Sequence, residues 1–303
     1  MKDDDRDMKV GSAYAAGAFL FWGASPLYFK LLRTVGAFEI LVHRVLWSCV
    51  LLVGIVVVLG QFRLVWDTLK DRRVAGTLLL SAFLIAANWF LYIYSIVADR
   101  VIESSLGYYI NPLVNVLLGL VFLGERLNRR QWAAVVLAAL GVSWLTYSTG
   151  QLSWLSLSLA GTFGFYGLIR KTSGAGALVG LLVETLLISP FALGYLIYLG
   201  HRGEAAFLSG PWTIDLWLVL TGVVTTLPLL WFTGAARRLN LSTVGFFQYI
   251  APTCMFFLSV LVFREPFTRD HLVTFALIWL GLIVYTVDSL MRIRQARRLS
   301  SQT

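Results

Sequence analysis

Tyr109-Ile110-Asn111-Pro112, followed by Glu125, Arg129 and Gly141, returns 140 positions later as Tyr249-Ile250-Ala251-Pro252, Glu265, Arg269 and Gly281. Fainter echoes extend the match. Trp22-Gly23 with Lys30 answers Phe163-Gly164 with Lys171, His43-Arg44 with Ser48 answers Glu184-Thr185 with Ser189, and Asn88 stands where the second half has Pro228. A chain that reads twice folds as two copies of one unit, here residues 1–150 and 151–303.

Composition decides what kind of unit is repeated. Hydrophobic residues make up 58% of the 303, charged residues 14%, and the mean hydropathy is +0.76. A water-soluble domain is about one quarter charged, so this chain lacks the polar surface to coat a globule. Crossing the hydrocarbon core takes about 20 apolar residues in a helix. Ten such runs stand at 11–31, 39–59, 74–96, 104–123, 131–148, 152–169, 177–199, 213–233, 242–263 and 271–290. The expected fold is an all-α membrane protein of ten transmembrane helices, five in each half. Five is odd, so the second half enters the bilayer with the opposite polarity, giving inverted repeats about an axis in the membrane plane. Secondary transporters built this way hold their ligand between the halves.

The formal charge of +9 and a pI near 9.8 would suit a nucleic-acid binder, but the distribution opposes it. With the N-terminus inside and ten alternating spans, one side holds 18 of the 25 Lys and Arg residues, including Arg63, Lys70, Arg72, Arg73, Arg126, Arg129, Arg130 and the tail from Arg292 to Arg298. The other holds six (Lys30, Arg33, Arg100, Arg202, Arg264 and Arg269), and Arg44 lies within a span. This is the positive-inside rule. It places both termini in the cytoplasm and the chain in the cytoplasmic (inner) membrane, with no nucleic-acid partner. Between spans two and three, Phe62, Val65, Trp66 and Leu69 recur at helical spacing, a short amphipathic helix in the interface or against the bundle.

Catalytic signatures are missing. The chain has no P-loop, HExxH, GxSxG or dinucleotide fingerprint, and His43, His201 and His271 lie far apart. Cys49 and Cys254 have no partners at ligand spacing. No enzyme activity, cofactor, metal or disulfide is expected.

What the spans do hold is a sparse polar set. A charge near mid-membrane costs about 2.5–3.5 kcal/mol, so each is a functional candidate. Span two carries His43 and Arg44, with Glu39 at its outer mouth, four residues from His43 and so within pairing reach along the helix. Arg44 has no carboxylate on its own face, so its partner comes from elsewhere, an anionic group of the substrate included. Span seven carries Glu184. Residue depths separate Arg44 from Glu184 by roughly 14 Å along the membrane normal, too far for a direct pair, and Glu184 is the candidate proton carrier. Span four aligns Tyr108, Asn111 and Asn115 at i, i+3 and i+7. Asn88 and Trp89 stand together in span three, Gln248 and Tyr249 open the second repeat motif, and Trp22 stands one turn before Pro26. With His43 and Arg44 these describe an amphipathic substrate pocket of aromatic walls and a few fixed polar groups. Pro26, Pro112, Pro190, Pro228 and Pro252 each remove a backbone donor inside a span, and are expected as hinges beside a cavity.

Several ordered segments then carry a family resemblance: Phe21-Trp22-Gly23 through Pro26-Leu27-Tyr28, Glu39-Ile40-Leu41, His43-Arg44 with Trp47-Ser48, Asn88-Trp89, Gly107 through Leu113, and Gly124-Glu125. They resemble the RarD proteins of the EamA branch of the drug/metabolite transporter superfamily, across essentially the whole chain. The resemblance implies a ten-helix inner-membrane permease with both termini inside. Spans one to four and six to nine would line a central cavity, and spans five and ten would be peripheral. RarD members are described as chloramphenicol-sensitivity permeases. The second half departs from the first where Asn111 becomes Ala251 and His43-Arg44 becomes Glu184-Thr185. The expected activity is alternating-access transport of a small amphipathic organic solute, drug or metabolite, amino-acid-like or carboxylate-bearing, outward and proton-coupled. The alternatives are facilitative uniport, or a non-transporting membrane enzyme or scaffold. Expected partners are the solute, the lipid bilayer and protons, with the protein a monomer or homodimer.

Overall fold

The computed structural model describes residues 2–124, 127–236, 238–239 and 247–300, and every regular element among them is helical. In order these are α1 (Lys2–Lys30), α2 (Ala37–Val58), α3 (Phe62–Lys70), α4 (Arg72–Val97), α5 (Val101–Leu123), α6 (Arg129–Thr149), α7 (Trp154–Thr172), α8 (Ala177–Arg202) and α9 (Trp212–Ala236). They are followed by α10 (Ile250–Phe257), which continues as a π-helical turn over Leu258–Val262, and α11 (Arg269–Ser300). Glu125 and residues 242–246, the start of the ninth expected run, lie outside the described residues.

Local chemistry sets the boundaries. Asp71 caps α4 by accepting from Arg73 N and Val74 N at 3.0 and 3.2 Å, filling two of the orphan donors a helix start leaves. Asn128 and Gln131 form a reciprocal capping box at the start of α6. Gly124 and Gly150 end α5 and α6 in the left-handed region (φ 65° and 66°), where a side chain would be strained. Nine of the ten apolar runs fall on helices, the run 242–263 is helical over Ile250–Val262, and among the described residues seven helices (α2, α4, α5, α6, α8, α9 and α11) are long and apolar enough to cross a membrane. The expected amphipathic connection is α3, which buries Val65 and leaves Phe62 and Trp66 exposed.

The halves interlock instead of standing apart. α1 packs on α9 and α10, while α7 packs on α4 and α5. α2 lies between α8 and α9, α4 touches α8, α5 meets α10, and α6 runs along α11. Small residues allow the closest crossings. A Cβ on Gly141 would sit 3.0 Å from Thr274 O, and one on Gly281 would sit 2.8 Å from Ala134 O. Thr274 and Gly281 each follow Ala134 and Gly141 by 140 positions, so these are one contact with the halves exchanged. The pairing also runs backward: α6 goes from 134 to 141 where α11 goes from 281 to 274, so the two helices are antiparallel. The α1–α10 and α7–α5 crossings repeat the exchange, Gly23 against Cys254 Cβ (2.6 Å) and Gly164 against Val114 Cγ1 (2.9 Å).

Candidate functional site

Arg44 is buried at 7% exposure, seven residues into α2, about 10 Å from that end of the bundle at 1.5 Å per residue. Its guanidinium lies over the Trp89 ring at 4.3 Å and the Phe29 ring at 5.7 Å. Tyr28, Tyr92 and Tyr108 interact with it electrostatically. The tyrosine hydroxyls are already engaged. Tyr28 donates to Trp217 O, Tyr92 shares a 2.6 Å bond with Ser25, and Tyr108 donates to Asn88 Oδ1 at 3.3 Å. Arg44 Nε and Nη1 are buried with no acceptor, and among the described residues no carboxylate pairs with it. Ring faces stabilise the charge but take none of its N–H donors, and a buried unpaired donor is costly.

Above Arg44 one end of the bundle is tied shut by carboxylates and a lysine. Glu39 Oε1 accepts from Ala206 N (2.7 Å) and Phe207 N (3.3 Å) in the α8–α9 connection. Glu265, from the connection before α11, accepts from Val101 N and Ile102 N at 2.8 Å each, capping α5. Burial pushes the Glu265 carboxyl up, with the two amide donors and Lys30 opposing that rise. Lys30 at the end of α1 pairs with Asp99 after α4. The expected Glu39–His43 pair is therefore replaced: loop amides take Glu39, and His43 Nδ1 instead accepts from Trp47 Nε1 at 3.2 Å while its ring packs on Phe207.

Glu184 is fully buried, and its carboxylate is surrounded by donors. Ser81 Oγ lies 2.5 Å from Oε1, Tyr166 OH 3.4 Å from Oε2 and Arg170 Nε 3.5 Å from Oε1. Arg170 reaches it from the end of α7 by lying across the bare backbone of Gly180. The two deep charges thus differ in kind: Glu184 has a counter-ion, and Arg44 has none among the described residues.

Of the other expected pocket residues, Trp89 and Tyr108 join Arg44. Asn88 is committed to the framework, its amide donating to Leu159 O and Thr162 Oγ1 at 3.0 Å each. Asn111 is wholly buried with both amide atoms unpartnered. Asn115 is exposed beside Gly164, Gln248 is half-buried, and Trp22 packs with Phe19 and Phe232. Tyr249 lines a groove of about 400 Å³ with Tyr109, Thr253 and Trp279 between α5, α10 and α11. Pro26, Pro112, Pro190 and Pro228 lie inside helices and Pro252 in the first turn of α10. The carbonyl freed by Pro26, Trp22 O, is taken by Ser25 Oγ at 2.6 Å. Span three's polar stripe of Ser81, Asn88, Tyr92 and Ser95 is legible in the sequence; Arg170 and Tyr28 were missed as site neighbours, and the spacing of Tyr28 after Ser25 was the available signal for the latter.

The family model for the EamA-like transporter family matches residues 9–147 and again 151–287. An uncharacterized transporter of Vibrio cholerae is 48% identical over 98% of this chain and 99% of its own. Protein RarD of Escherichia coli is 41% identical over 97% of this chain and 100% of its own. A crystal structure with 18% identity superposes with a TM-score of 0.58 over 91% of this chain and 97% of that one, a likeness of fold. These define a membrane transporter. The chain belongs to the EamA-like transporter family, as a RarD-type permease of the drug/metabolite transporter superfamily.

Proposed function

We propose that the protein carries a small amphipathic organic solute outward across the cytoplasmic membrane by alternating access, through ten spans arranged as two inverted halves, 1–150 and 151–303, with both termini in the cytoplasm. The reciprocal Gly141–Thr274 and Gly281–Ala134 contacts on antiparallel helices support inversion. The observation that carries the reading is Arg44, a buried cation with free donors beneath an end tied shut from both halves. That is the state expected of a carrier sealed on its outer side with its binding group waiting. Arg44 holds an anionic group of the solute, Trp89 and Tyr108 wall it, and Asn111 offers a further donor and acceptor. The test is solute counterflow in proteoliposomes, where Arg44→Ala should abolish exchange. A variant that exchanges solute at the parent rate overturns the reading.

Facilitative uniport is favoured over proton coupling by one observation: Arg170 already balances Glu184, the one carboxylate read deep in a span. Flux through Glu184→Gln under an imposed pH gradient separates the two. Uniport predicts flux that ignores the gradient in parent and variant alike.

A further inference from the structure

The charge inventory around Arg44 restricts which solutes fit, and this inference rests on the carrier reading above. The guanidinium carbon lies 4.3 Å from the Trp89 ring centroid, and Nε and Nη1 are buried without acceptors; a guanidinium with open donors is a planar fork that suits a carboxylate. Around it stand rings, not acids: Phe29, Tyr28, Tyr92, Tyr108 and, against Tyr108, Phe163. The carboxylates within reach of this half of the bundle have donors of their own. Glu39 holds the 206–207 amides, Glu265 the 101–102 amides, and Asp215 Leu208 N at 2.7 Å. Asp99 holds Lys30, and Glu103 holds Arg100 and Ser153. Glu184, at the other end, holds Ser81, Tyr166 and Arg170.

Among the described residues Arg44 is a buried cation with no carboxylate pairing it, and the groups around it are rings, so no carboxylate stands beside it to balance a second cation. We infer that the transported solute is an organic monoanion: a single carboxylate on an apolar, ring-bearing body, with no ammonium group. Its carboxylate would take the open donors of Arg44 and its body would pack on the rings. An amino-acid zwitterion would bring an ammonium into the same dry space with no carboxylate to pair it, only ring faces and the neutral Asn111 amide oxygen. A buried unpaired ion costs several kcal/mol, which converts to binding at least about 100-fold weaker.

A matched set with one phenyl body tests this: 3-phenylpropanoate, L-phenylalanine and 2-phenylethylamine, each titrated into the purified full chain in detergent by calorimetry and thermal shift. The acid should bind, the other two should bind at least about 100-fold more weakly, and Arg44→Gln should lose the response to the acid. Arg44→Gln should itself melt no lower than the parent, because it removes an uncompensated charge; that keeps lost binding distinct from lost folding. Binding of phenylalanine or the amine within tenfold of the acid overturns the inference. So does an undiminished response in Arg44→Gln, or no response to millimolar acid in the parent. Proteoliposome exchange separates the layers. Equal exchange of all three probes sinks the charge assignment and leaves a carrier, whereas acid binding with no exchange sinks the carrier and leaves the charge assignment.

Discussion

Removing either member of the Arg170–Glu184 pair should reveal a large coupling, because the two charges sit largely out of water. The carboxylate is fully buried and the Arg170 side chain is 14% exposed, with Nε 3.5 Å from Oε1. Arg170→Met leaves Glu184 with two hydroxyl donors and no counter-charge, and breaking a buried pair in this way costs about 3–5 kcal/mol. Glu184→Gln strands a guanidinium that keeps Gly176 O at 3.1 Å. That loss is nearer the about 1.5–3 kcal/mol of a charged hydrogen bond. The double variant removes both charges and should lie within about 1 kcal/mol of the parent, since replacing a whole buried pair by packed neutral groups is often neutral. The cycle then gives a coupling of at least about 3 kcal/mol. Reversible unfolding in mixed micelles reads all four proteins, and an ordinary stability of about 5–15 kcal/mol keeps each single variant folded. Costs of the single variants that add to the double, or Arg170→Met losing less than about 1 kcal/mol, would show that the pair carries no such energy.

Three other outcomes follow from named contacts. Glu265→Gln weakens the acceptor of Val101 N and Ile102 N by about 1.5–3 kcal/mol, so hydrogen exchange at those two amides should quicken while exchange in α6 does not; unchanged protection would deny the cap its role. Gly281→Ala and Gly141→Ala place a Cβ 2.8 and 3.0 Å from backbone carbonyls of the opposite half. Each should cost about 1–3 kcal/mol by overpacking, read as melting temperature, and a neutral result at both would refute the close seam. Gly222→Ala meets the Trp47 backbone carbon at 2.6 Å, and should destabilise at least as much in the same assay.

Much of the fold could be read from residue order because hydrophobic length and the 140-residue echo are local properties. Nine of the ten apolar runs fall on helices and the other does so over Ile250–Val262, and the repeated Gly141 and Gly281 proved to be the two ends of one reciprocal seam. The isolation of Arg44 was visible too, since its own helix face offers no acid. Partners at long range were not. Arg170 was counted among the basic residues that set topology, and only the fold shows it crossing bare Gly180 to reach Glu184. Glu39 has His43 one turn away, yet it binds the amides of residues 206 and 207, because backbone donors in a loop leave no trace in side-chain pattern. Asn88 read as a ligand group for the same reason. Its acceptors, Leu159 O and Thr162 Oγ1, lie on a helix of the other half.

The unequal fate of the two deep charges bears on what drives transport. In the repeat, His43 stands where the second half has Glu184 and Arg44 where it has Thr185, so the open cation of one half and the compensated anion of the other lie one residue out of register. If the solute is the monoanion proposed above, the empty site is positive and the loaded site neutral, so an interior-negative membrane would pull the empty site inward and do no work against the loaded one. On that proposal each outward cycle would export one negative charge. A potential of 100 mV is worth about 2.3 kcal/mol per charge, equivalent to a concentration ratio of about 50-fold. That proposal calls for no proton, in line with the Arg170–Glu184 ion pair. In proteoliposomes clamped with valinomycin, 3-phenylpropanoate should distribute with the imposed potassium potential at zero pH difference, and Arg44→Gln should abolish the movement. A distribution that follows the pH difference and ignores the potential would refute electrogenic export of an anion and return Glu184 to the coupling role.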